Sequence, residues 1–94
     1  MPISDEEINK KLDKYFGMTE KALKLIEITA SDKTTAEDFL KMAKDYLSDA
    51  KHFREKGDLL TALAAASYAH AWLDAGARAG LFKVDSSSNL FTVD

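Results

Sequence analysis

The chain has no cysteine, one proline and only four glycines in 94 residues. Without cysteine there is no disulfide framework and no thiolate chemistry, a composition that fits a reducing cytosol. The proline, Pro2, stands at the very start, so nothing of its kind breaks a helix further on. Gly17, Gly57, Gly76 and Gly80 are scattered and build no phosphate-cradling loop. Basic residues are not in excess: 13 Lys and Arg stand against 16 Asp and Glu, for a net charge of -3. That balance argues against nucleic acid or an anionic membrane as the default partner. No apolar run reaches membrane-spanning length, and the opening MPISDEEINKK is too acidic for a signal peptide. A cytoplasmic location is expected.

What the sequence does hold is 46% hydrophobic and 31% charged residues, the balance of one soluble globular domain spanning 1–94. Its organising stretch is GDLLTALAAASYAHAWLDAGARAG, from Gly57 to Gly80. Asp58 is a good N-cap, and Gly57 suits the left-handed residue that closes a preceding helix. The alanine-rich run predicts a helix over 59–79. At 100° per residue Leu59, Leu63, Ala66, His70, Leu73 and Ala77 share one face. The opposite side carries Ala64, Ala65, Tyr68, Ala71, Trp72, Ala75 and Ala79 where charges are expected. A helix apolar all round needs cover all round.

Upstream, Ser4 with Glu7 forms a capping box, and Ile8, Leu12, Tyr15, Thr19, Ala22 and Ile26 step by 4, 3, 4, 3, 4. These features predict a helix over 5–29, with Gly17 as a candidate bend. Thr34 with Glu37 repeats the box and opens a second helix, over 35–56, on Phe39, Ala43, Tyr46, Ala50 and Phe53. Short loops between three amphipathic helices predict an all-α, three-helix up-and-down bundle. After Gly80 comes an apolar tail over 80–94. Its β-prone runs LFKV and LFTV flank Asp85-Ser86-Ser87-Ser88-Asn89, which reads either as a hairpin or as an extended segment packed on the bundle.

The stretch from Ala43 to Ala69 resembles one tetratricopeptide-type helix pair, in Tyr46, Ala50, Phe53, Gly57-Asp58, Ala62, Ala66 and Ala69. One copy is too few for a repeat array. The run AKHFREKGDLLTALAAASYAHAWLDAGARAGLF, with TEKALKLI upstream and LFTV at the end, resembles the small archaeal proteins of domain-of-unknown-function family 357. That resemblance implies a helical bundle in an archaeal cytoplasm and carries no reaction with it. A weaker likeness is to HEPN domains, whose ribonuclease members place an Arg shortly before the His. Here Leu63 to Ala69 contain none, which argues against that chemistry.

Among reactive side chains, His70, Asp74 and Arg78 fall at i, i+4 and i+8 and can touch in series. They form either a ligand-binding ladder for a small molecule or nucleotide, or a buried polar chain in which Asp74 satisfies both neighbours. No metal site is expected. His52 and His70 are the only histidines, and no HExxH, EF-hand or Glu-x-x-His pattern exists. No cofactor and no catalytic residue is assigned. The aromatic pair Tyr68 and Trp72, with Leu81 and Phe82 beyond it, is the candidate interface. Its occupant is a protein partner or a second copy, or else the chain's own tail folds back over it. The function expected is that of a non-enzymatic protein-interaction module, with self-association through the third helix and tail.

Overall fold

A computed structural model describes residues 3–29 and 31–83. Three helices, α1 (Asp5–Leu25), α2 (Lys33–Glu55) and α3 (Leu59–Arg78), are joined by a two-stranded antiparallel ribbon of β1 (Glu27–Ile28) and β2 (Phe82–Lys83). α1 begins as the capping box requires, with the Ser4 hydroxyl accepting from the Glu7 amide at 3.2 Å. It runs unbroken through Gly17 but stops at Leu25, short of the expected Thr29. The reason lies far away in sequence. Ile28 pairs with Phe82 and Glu27 with Lys83, and the Thr29 amide donates to the Leu81 carbonyl at 3.2 Å. α2 starts earlier than the expected residue 35, because Asp32 and not Thr34 is its cap. One Asp32 oxygen accepts from the Thr35 amide at 3.1 Å and the other from the Thr35 hydroxyl at 2.6 Å.

The α2–α3 corner is built as its sequence suggests. Gly57 has φ 84°, the Asp58 amide donates to the Phe53 carbonyl, and the Asp58 side chain accepts from the Thr61 amide. α3 ends in the same closing motif. Gly80 has φ 78° and the Leu81 amide donates to the Gly76 carbonyl at 2.9 Å. This turn sends the chain back across the top of the bundle, where β2 meets β1.

α3 lies between the other two helices. Phe39 meets Trp72 and Tyr46 meets Tyr68, so α2 and α3 run antiparallel. Leu12 packs near Ala62 and Ala66, Thr19 meets His70, and Ala22 packs with Leu73, so α1 and α3 run parallel. Fully buried Ala36, Ala43 and Ala50 on α2 and Ala62, Ala66 and Ala69 on α3 provide small packing surfaces that let helices approach closely. α1 and α2 are tied by long side chains instead. Arg54 reaches Asp13 at 2.8 Å and Asn9 at 3.1 Å, and Lys51 reaches Glu20 at 2.6 Å. Both cations lie over the Phe16 ring. The core has two parts, one around Leu12, Ala50, Ala62 and Ala66 and one around Ala22, Ala36, Ala43, Leu73 and Phe82.

The hairpin considered within the tail has its second arm, 90–93, outside the described residues. Of its first arm, Phe82 and Lys83 form a strand, and the partner is Glu27–Ile28.

Candidate functional site

The two candidate sites lie on different sides of α3. His70 is buried, between the two halves of the core, and its Nδ1 lies 3.2 Å from the Thr19 hydroxyl of α1. Its Nε2 lies 3.9 Å from an Asp74 carboxylate oxygen, one turn on. Both ring nitrogens thus face oxygens of the chain itself, as a buried imidazole requires. Asp74 is mostly buried, while Arg78 stands exposed in the last turn, where a cation suits the helix dipole. His70 and Asp74 are brought together, with His70 held inside the fold. Thr19 is the member that helical spacing concealed, because it sits on α1's apolar stripe and reads there as a small core residue.

The aromatic set divides in two. Phe82 is 4% exposed and packs on the backbone of α3 at Gly76, so it belongs to the core. Leu81 is partly buried and packs against the same upper cluster. Tyr68 is 50% exposed, and Ala71 and Ala75 are exposed beside it. Together with Trp72 they line a hollow of about 210 Å³ on the outward side of α3. Leu60, 74% exposed, and Ala64 extend the apolar stripe toward the start of the helix.

α2 supports this face from below. Phe39 meets Trp72 edge-on at 4.9 Å between ring centres, Tyr46 meets Tyr68 at 4.5 Å, and the planes stand at 89° and 88°. Tyr68 and Trp72 also meet edge-on, at 6.2 Å. The rings are therefore held in place by packing. The Trp72 Nε1 is buried and has no hydrogen-bond acceptor among the described residues. Beyond Phe39 and Tyr46, α2 turns its charged flank outward. There the Lys41 ammonium donates to Asp45 at 2.6 Å, and this hydrogen bond, with the carboxylate's charge, holds the ammonium above its usual 10.5.

Among the described residues no cluster of three or more His, Cys, Asp or Glu side chains is placed to hold a metal ion. No described helix is long and apolar enough to cross a membrane. The geometry defines a small three-helix protein, clipped at one end by a β ribbon, that presents an aromatic and alanine face. The chain belongs to the family described as protein of unknown function (DUF357), whose model matches residues 14–82. The match takes in all of α2 and α3 and closes at Phe82, so the ribbon pair Ile28–Phe82 falls within it. No curated protein and no solved structure matches the chain.

Proposed function

We propose that this chain is a non-enzymatic protein-interaction module that docks another polypeptide on the outward face of α3. The observation that carries this is the hollow lined by Tyr68, Ala71, Trp72 and Ala75 on a helix exterior, its exposed lining almost entirely apolar. Pre-set aromatic rings lose little side-chain freedom on binding, and alanines let a second backbone approach closely. A cytoplasmic setting fits the cysteine-free composition.

Reading His70, Asp74 and Arg78 as a small-molecule or nucleotide site has less support. The imidazole is buried, and its Nδ1 is within hydrogen-bond distance of Thr19.

The test is backbone NMR mapping of the ¹⁵N-labelled chain in two arms, one raising its own concentration and one adding amphipathic helical peptides. Shifts centred on Tyr68, Ala71, Trp72 and Ala75 in either arm, abolished by Ala71→Glu, support the reading. Ala71 is exposed, so the charge there leaves the fold intact. Shifts absent from this face in both arms, or undiminished by Ala71→Glu, overturn it.

A further inference from the structure

The face is not electrically neutral at its edge. At 100° per residue Asp38, Asp45 and Asp49 fall within about 40° of one another on α2, on the flank next to Phe39 and Tyr46. Phe39 and Tyr46 are the residues that touch Trp72 and Tyr68. All three aspartates are exposed. Asp45 holds Lys41, one turn before it, at 2.6 Å, which leaves Asp38 and Asp49 as the main charges of the rim. From Leu59 to Leu73 α3 carries no Lys, Arg, Asp or Glu. The hollow is thus an apolar strip with an acidic rim on its α2 side.

We infer that the occupant of this face is an amphipathic helix whose apolar stripe is flanked by lysine or arginine, the basic flank lying along Asp38, Asp45 and Asp49. The inference rests on the interaction reading above and names the partner's chemistry. An apolar helix face supplies contact area for the hollow, and basic side chains at its edge match the rim in sign. A second copy of the chain is a poorer fit. It brings the same acidic rim and a net charge of -3, so its approach sets like charges against each other.

The experiment uses the full chain and two synthetic helical peptides. Both carry the same Leu and Trp face at i, i+3, i+4 and i+7; one is flanked by lysine and the other by glutamate. At low ionic strength the lysine peptide binds roughly tenfold tighter, and the gap closes in high salt. Replacing Asp45→Asn and Asp49→Asn together narrows the gap while circular dichroism shows the fold unchanged. Equal binding by both peptides, or a gap that the substitutions leave intact, overturns the basic-flank inference and leaves the interaction reading standing. Pairing of the chain with itself more tightly than with either peptide overturns it in favour of a second copy. Failure of both peptides and of self-association to move the Tyr68, Ala71, Trp72 and Ala75 amides overturns both readings.

Discussion

The ring of Phe82 lies directly on the backbone of Gly76. A Cβ placed there would overlap ring carbon Cε2 and come within 2.7 Å of Cδ2. Gly76 is therefore kept for space, in the last turn of a helix, although glycine is a poor helix former. Gly76→Ala is expected to lower stability by up to about 2 kcal/mol, since overpacking at about 1–3 kcal/mol outweighs the gain of ~1 kcal/mol in helix propensity. Gly17 is the control: nothing lies within 4 Å of a Cβ there. Gly17→Ala raises stability by roughly 0.5–1 kcal/mol. Urea denaturation of both variants gives opposite signs. Equal signs would remove the packing explanation.

The contact between Thr19 and His70 makes a second prediction. Thr19→Val keeps the shape and deletes the hydroxyl 3.2 Å from Nδ1. Losing the partner of a buried ring nitrogen costs about 1–3 kcal/mol. Coupling to His70→Leu in a double-mutant cycle shows whether the cost belongs to this pair, because with the ring gone Thr19→Val orphans no nitrogen. Additive losses would assign the effect to packing alone.

Much of the bundle is legible in the sequence because helix periods, caps and glycine corners are local. Ser4, Asp58, Gly57 and Gly80 each do what their residue type favours. The errors come from long range. Residues 26–29 read as a continuation of the helix, yet the β-branched Ile26, Ile28 and Thr29 suit the extended segment, in which Ile28 meets Phe82 54 residues later. Thr34-x-x-Glu37 looks like a capping box, but Asp32 caps with both carboxylate oxygens. Phe82 reads as an interface aromatic because nothing in its neighbourhood shows that Gly76 leaves room for it. The exposed stripe was legible as an excess of apolar circumference. The acidic rim needed α2 to be set beside α3.

Arg54 joins α1 to α2 through Asp13, Asn9 and the Phe16 ring at once. Its side chain is mostly buried, so Arg54→Ala removes packing as well as charge. A loss of about 1–2 kcal/mol is expected, against almost none for Lys41→Ala on an exposed i,i+4 pair. Thermal melts in low and high salt separate the parts. Only the ion-pair share shrinks with salt.

Asp32 ties the start of α2 to pH. The Thr35 hydroxyl and then the Thr35 amide hold its carboxyl below the usual 3.8. A carboxyl depressed by folding stabilises the native state above its unfolded value. That contribution fades as pH falls through the lower folded value. Asp32→Asn keeps a capping oxygen and cannot titrate. Wild type should therefore lose stability more steeply than the variant as acid is added below pH 3.8. Parallel acid-melting curves would show that the cap is not titrating.

Trp72 is held edge-on by Phe39 while its N–H finds no acceptor among the described residues. Two opposed effects set the result of replacing it. Trp72→Phe gives up apolar contact and also removes a buried unpaired donor, whose desolvation costs about 1–3 kcal/mol. The two largely cancel, so stability is expected to change by less than ~1 kcal/mol. Trp72→Ala has no such offset, and loss of the ring costs about 3 kcal/mol. Chemical denaturation followed by circular dichroism reads both, since the Phe variant has lost the fluorophore. A loss on Trp72→Phe as large as that on Trp72→Ala would mean that the N–H has a strong acceptor after all, and that the indole is fixed by a hydrogen bond and not by the rings around it.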